Sequence, residues 1–223
     1  MRSFARVRLS NLIMWLAAGL ASSAAGCGGD PGGGAACSGA ACGGTIVGGN
    51  YTITASCFGA TTVKEASCAV PVTVDLHGIF MTGGGSLNDD HTYRLSTTVS
   101  GSLVETIPAQ CLNLKGRQVT CQEVTQELQA MVTKPGSPFR AFTCSGSGDC
   151  ICTAVSKPRS QSQQGTYATS GTNVTFTPAN GESPSVDPYC ASPTQIIIQY
   201  PMSSMTGMAA LEGFSGSIVL TKQ

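Results

Sequence analysis

Charge is scarce in this chain: 11% of its 223 residues are Asp, Glu, Lys or Arg, against about 25% in ordinary soluble proteins. Its surface is therefore expected to be covered by Ser, Thr, Gln and Gly. Basic and acidic residues balance at twelve each, and without a basic excess neither nucleic acid nor an anionic membrane surface is an expected partner. Histidine occurs only at His77 and His91, too few to support a Ser-His-Asp set. No G-x-S-x-G elbow is present, since GFSGS at 213–217 lacks that spacing. No Cys-x-x-Cys is present either, which removes thioredoxin-type redox chemistry. Gly83-Gly84-Gly85-Ser86 is followed by no Lys-Ser/Thr pair and no helix start, so it is not a phosphate loop. None of the twelve acids sits in a recognisable glycosidase context. No enzyme activity, no catalytic residue and no cofactor are expected.

Long apolar runs are also missing. The longest, LSNLIMWLAAGLA from Leu9 to Ala21, is well short of the roughly 20 residues that span a bilayer. Arg2, Arg6 and Arg8 precede it and small residues follow, which is the organisation of a secretory signal over residues 1–26. Without those three arginines, nine bases face twelve acids and the net charge is near −3. The single tryptophan, Trp15, goes with the signal, leaving a mature chain without Trp fluorescence.

Ala24-Ala25-Gly26-Cys27 resembles the lipobox of bacterial lipoproteins, with Ala24 where leucine is most usual. The resemblance implies a diacylglycerol on the Cys27 thiol, cleavage just before it, and acylation of the new amino group. Cleavage after Ala25 at Ser23-Ala24-Ala25 is the alternative. Cysteine parity points to the lipobox: the chain has 11 cysteines, and setting Cys27 aside leaves an even number to pair in an oxidising compartment. Gly28, rather than Asp, follows the cysteine. The family's sorting rules then imply a lipid anchor in the bacterial cell envelope, in the outer membrane rather than the inner. The membrane, through that anchor, is an expected partner; the sequence names no protein partner.

Residues 27–44 read CGGDPGGGAACSGAACGG, a flexible tether by composition. Cys37 and Cys42 interrupt it, and their spacing suits a small local loop or a staple to the domain edge; mutual pairing is favoured. Residues 45–223 form one domain, large enough to bury a core without disulfides. Short runs rich in Thr, Val, Ile and Tyr, separated by Gly, Pro, Asn and Asp, read as strands at 51–57, 70–76, 93–99, 102–107, around 143, 151–155, 165–168, 173–177, 195–200 and 216–220. The series predicts an all-β fold, an antiparallel barrel or sandwich. One short helix is expected near 120–132. Cys121, Val124, Leu128 and Met131 share a face there, with Thr120 and Glu123 as a capping box and Lys134-Pro135-Gly136 as the stop. It is expected across an open barrel end or on a sheet face, with a Cys111–Cys121 bridge stapling its approach.

GGNYTITASC, GGGSLNDDHTYRLS, QGTYATSGTNVTFTP, TQIIIQY and GSIVLTKQ follow in that order. The succession resembles bacterial lipocalin-like lipoprotein domains, with Tyr51 where that family usually has tryptophan. The resemblance implies an up-and-down barrel that cups a small apolar ligand. A structural or protein-interaction component with a side-chain-filled barrel is the alternative.

Three constellations remain. Asn88-Asp89-Asp90-His91 brings carboxylates and an imidazole together, but ahead of TYRLSTTV it reads as a hairpin turn. Cys150 and Cys152, two apart on a strand, point to one face. They suit a soft metal or two bridges, and bridges are expected, with Cys144 one hairpin away and Cys190 the remaining candidate; Cys57 and Cys68 complete the set of disulfide candidates. Met202, Met205 and Met208 lie three residues apart; thioethers so spaced suit Cu(I), whereas packing or pocket lining is the plainer reading.

Overall fold

The computed structural model describes residues 40–63, 68, 70–114, 117–201 and 215–223. The elements run β1 (Gly49–Phe58), β2 (Ala60–Val63), β3 (Val72–Asp75), β4 (Ile79–Leu87), β5 (Thr92–Ile107), β6 (Asn113–Leu114), β7 (Arg117–Gln118) and α1 (Cys121–Val132). There follow β8 (Phe139–Ser145), β9 (Cys150–Ser156), β10 (Arg159–Ser170), β11 (Asn173–Pro178), β12 (Ser185–Ala191), β13 (Gln195–Pro201) and β14 (Ser215–Lys222).

Eight strands close on themselves in the order β1-β4-β5-β10-β11-β12-β13-β14 and back to β1, every neighbour antiparallel. Of the two all-β forms the strand pattern allows, the antiparallel barrel is the one formed, consistent with the lipocalin-like resemblance. The chain leaves the ring twice, after β1 and after β5. Both excursions build one side sheet, β2-β3-β5-β9-β8. Strand β5 belongs to both structures, its first half in the barrel wall and its second in the side sheet.

The two strands expected at 93–99 and 102–107 are thus one strand of 16 residues. Ser100-Gly101 reads as a break, but Gly101 adopts φ 121° and carries the strand through its change of sheet. A Cβ there would lie 2.0 Å from the Gly78 carbonyl oxygen. Strand β4 was not anticipated, because GGGS looks like a loop. Its glycines are set by close neighbours: a Cβ on Gly84 or Gly85 would fall 2.2 Å from the Tyr51 oxygen or 1.8 Å from the Arg94 oxygen.

Alternation sorts the wall. Along β5, Tyr93, Leu95 and Val99 are buried while Arg94 and Ser96 are exposed. Tyr51, Leu87, Val174, Phe176, Tyr189, Ile196, Ile198, Ile218 and Leu220 are likewise buried, and they join the side-sheet residues in one apolar cluster.

Helix α1 forms as expected. The Glu123 backbone N–H donates to Thr120 Oγ1 at 3.2 Å, and the Thr120 N–H donates to Glu123 Oε2 at 2.8 Å. Cys121, Leu128 and Val132 are buried, with Val124 and Met131 partly buried against the core. The helix packs on the side sheet, against β8 and β9. It also caps the outer edge of β8: Cys144 N donates to Thr125 Oγ1 at 2.8 Å and Phe142 N to Gln129 Oε1 at 3.0 Å. Those amides would otherwise be open to strand pairing.

Four disulfides join described residues, and several differ from the expected pairs. Cys42 bonds Cys190 rather than Cys37. Cys111 bonds Cys68, not Cys121, and Cys121 bonds Cys150. Cys144 bonds Cys152, its register partner across the β8–β9 hairpin. The Cys121–Cys150 bridge takes the position offered to Cys190, because the helix start lies over β9 while Cys190 sits on the barrel. Cys57 is also disulfide-bonded.

Candidate functional site

The inner wall of the barrel carries buried aromatic and aliphatic side chains, and one of its ends is sealed by tyrosines. The short β4–β5, β10–β11 and β12–β13 turns gather at that end with the segment Cys42–Gly48. Cys42 N and Gly43 N both donate to the Tyr189 carbonyl, at 3.0 and 2.9 Å, and Ala191 N donates to the Gly43 carbonyl at 2.8 Å. The Tyr189 hydroxyl donates to the Gly44 carbonyl at 2.5 Å, and the Tyr51 hydroxyl to the Val47 carbonyl at 2.5 Å. The Tyr167 hydroxyl donates to the Asn88 carbonyl at 2.8 Å. Three phenols thus present rings to the interior and hydroxyls to the strap and turn that close the base. Tyr51 closes it through its hydrogen bond to the strap.

Asn88-Asp89-Asp90-His91 belongs to this closure and is a turn. Asn88 N donates to the Thr92 carbonyl at 2.9 Å, and His91 takes φ 64°. Asp89 Oδ1 accepts from Gly48 N at 3.0 Å, tying the turn to the strap. Asp90 Oδ1 accepts from the Thr92 hydroxyl and backbone N–H, which together hold its carboxyl below the usual range. The His91 ring stands edge-on to Tyr167 at 5.3 Å. His77 is engaged elsewhere, its Nδ1 at 2.5 Å from Asp75 Oδ1. Among the described residues, no three His, Cys, Asp or Glu side chains are grouped as metal ligands would be.

The interior also holds a group that sequence reading missed. Asp187 is fully buried on β12, opposite Val174 of β11. Its Oδ2 accepts from the Ser185 hydroxyl at 2.9 Å, while its Oδ1 has no hydrogen-bond partner. Burial raises its pKa, with the Ser185 bond opposing. The Tyr93 hydroxyl is buried without a partner as well, and so is Thr97 Oγ1, four residues further along the same face of β5. Burial, with the charge of Glu182, lifts the Tyr93 phenol to about 12. Asp-Pro in SVDPYC reads as a turn; the alternation Ser185, Asp187, Tyr189 was the signal that marks an inward strand.

The outer wall is of opposite character. Hydroxyls and amides bridge neighbouring strands: Thr98 to Ser160 at 2.8 Å, Ser162 to Ser96 at 3.1 Å, Thr54 to Thr221 at 2.7 Å, and Arg94 to Gln164 at 3.1 Å. A barrel that spans a bilayer presents an apolar band outward and a polar lumen inward, and these strands do the reverse. Among the described residues, no helix is long and apolar enough to cross a membrane.

Cys27 and Cys37, and Met202, Met205 and Met208 in the β13–β14 connection, lie outside the described residues. Compared with known proteins, the chain matches no family model, no curated protein and no solved structure.

Proposed function

We propose that this chain is a lipid-anchored protein of the bacterial cell envelope, held at Cys27 and carrying its barrel as a binder of a small apolar ligand, without enzymatic activity. The observation that carries the reading is the barrel itself: a closed ring of eight strands with a buried aromatic and aliphatic inner wall and a hydroxyl-covered outer one. Eight-stranded barrels are just wide enough inside for side chains to fill or for one small ligand to be held.

Cysteine arithmetic supports the anchor. Eight described cysteines bond one another in four pairs, and Cys57 is bonded too. Cys27 and Cys37 are the two others in the sequence. Assigning Cys37 to Cys57 leaves Cys27 as the odd thiol, placed ahead of the Gly-rich tether and free for a thioether to lipid. A lipid chain contributes about 0.8 kcal/mol per buried methylene, so two or more chains hold a protein on a membrane almost permanently. By the family's sorting rules, the outer membrane is the destination.

Radiolabelled fatty acid fed to cells making the protein tests the anchor. Label should enter the wild type and be lost in Cys27→Ala; label retained in that variant overturns it. Extraction under gentle conditions, followed by a search for a co-purifying small molecule, tests the barrel. Consistent absence of one, with no uptake of a neutral apolar dye, favours the alternative of a side-chain-filled interaction module.

A further inference from the structure

The barrel interior has a chemical asymmetry that an apolar ligand alone does not use. Asp187 is fully buried, and one oxygen has only the Ser185 hydroxyl for company while the other has nothing. A buried carboxyl with a single neutral donor is poorly compensated, and native proteins rarely leave one so unless a partner completes it. The ion pairs His77 with Asp75 and Arg117 with Glu123 lie outside the barrel, and among the described residues the only hydrogen-bond partner of Asp187 is the Ser185 hydroxyl. Among the described residues, no cation answers this acid there.

Its surroundings suit a cation. Ser185, next inward along β12, lies opposite Phe176. The Phe176 ring meets Tyr93 edge-on at 5.1 Å and Tyr167 at 6.4 Å. Tyr93 sits opposite Gly165 on β10, and its ring reaches past that strand to Phe176 on β11. Its unpartnered hydroxyl therefore belongs to the aromatic group around Phe176, which faces Ser185, the hydrogen-bond donor to Asp187. Tyr189, next inward on the other side, adds a further ring. Aromatic faces attract ammonium groups by their quadrupole, a carboxylate oxygen accepts an N–H strongly, and a free phenol oxygen accepts a second.

We propose that the barrel binds a small organic ammonium ion, a primary amine on an apolar or aromatic body, with Asp187 as its counterion and the Tyr93 hydroxyl as a second acceptor. The proposal rests on the reading of the barrel as a ligand binder and names the ligand's class. The apolar body takes up the aliphatic wall, and the ammonium completes the groups that the protein leaves open.

The test uses the full chain, exported so that its disulfides form and carrying Cys27→Ala so that no detergent is needed. Its probes are phenethylamine and its neutral counterpart 2-phenylethanol, measured by calorimetry. Phenethylamine should bind at least about tenfold more tightly than the alcohol. Asp187→Asn should weaken the amine by about 30-fold or more and the alcohol far less, abolishing the amine preference. Tyr93→Phe should weaken the amine by about 5-fold. Circular dichroism and thiol titration confirm that each variant is folded and bridged; if Asp187→Asn does not fold, the Tyr93→Phe result and the amine-to-alcohol ratio decide. Equal binding of the two probes, or amine affinity unchanged in the variants, overturns the proposal. Nile red uptake separates the two levels: dye bound without amine selectivity overturns this inference alone, and no dye or probe bound overturns the ligand-binding reading with it.

Discussion

Cys42 and Cys190 are joined across 148 residues, and that bond fixes the strap at the barrel's sealed end. It stands beside the Tyr189 hydrogen bonds to Cys42, Gly43 and Gly44, so the covalent and hydrogen-bonded closures share one place. A link across so long a loop constrains the unfolded chain strongly, by about 5 kcal/mol in the chain-entropy picture. The double variant Cys42→Ala/Cys190→Ala should lose about 2 to 5 kcal/mol in denaturant unfolding. A loss under 1 kcal/mol would show that the strap does not hold the base.

Tyr51 offers a finer probe of the same closure. Tyr51→Phe keeps the ring in the core but takes the donor from the Val47 carbonyl. An expected loss of about 1 to 2 kcal/mol follows, read as a lower urea midpoint. An unchanged midpoint would mean that the ring alone, without its hydroxyl, seals the end.

Gly101 and Gly136 both have positive φ, at 121° and 81°, and they should respond differently. A Cβ on Gly101 would strike the Gly78 carbonyl, whereas one on Gly136 meets nothing within 4 Å. Gly136→Ala should cost about 1 kcal/mol, the backbone preference alone. Gly101→Ala should cost clearly more, because β5 must also pull away from β4 where the barrel hands over to the side sheet. Equal losses would remove that role for Gly101.

Two carboxyls give opposite pH dependences. The Thr120 backbone N–H first, then Arg117 and the Thr120 hydroxyl, hold Glu123 down to about 2. Its folded pKa is below the unfolded value, so its contribution is present above about 4.3 and fades as pH falls toward 2. Glu123→Ala should flatten the acid limb of the stability profile. Asp187 is raised by burial, so the folded chain holds the proton more firmly than the unfolded one. Its contribution is full below about 3.9 and is lost as pH rises through the folded value. Asp187→Asn should therefore gain on the wild type as pH rises to neutrality, with unfolding midpoints at pH 3 and 7 as the measurement. A constant difference between the two chains at those pH values would contradict the buried-acid account.

The pattern of what was legible in the sequence follows from local against long-range causes. The helix over Cys121–Val132 announces itself through Thr120, Glu123 and a repeating apolar stripe, all within a few turns. Strands such as Gln195–Pro201 announce themselves by composition. Strand β4 did not, because its glycines answer to the backbones of Tyr51 and Arg94, which are distant in sequence. Nor did the first half of β10, whose polar Ser160, Gln161, Ser162, Gln163 and Gln164 pair with Thr98, Thr97, Ser96, Leu95 and Arg94 on a hydroxyl-covered wall. Cysteine parity was readable, whereas connectivity was not: spacing put Cys144 one hairpin from Cys150 and Cys152, and the β8–β9 register selects Cys152. Asp187 was hidden because Asp-Pro is common in turns. The alternation Ser185, Asp187, Tyr189 is its one local signal, and the pairing of β12 with β11 together with its full burial places it inside.

The native mass of the gently extracted protein is the most direct measure of the whole account. It should show a chain beginning at an acylated Cys27, no free thiol, and a bound small molecule that leaves on collisional activation. An unacylated chain with a free thiol at Cys27 and no adduct would contradict both the anchor and the ligand-binding barrel.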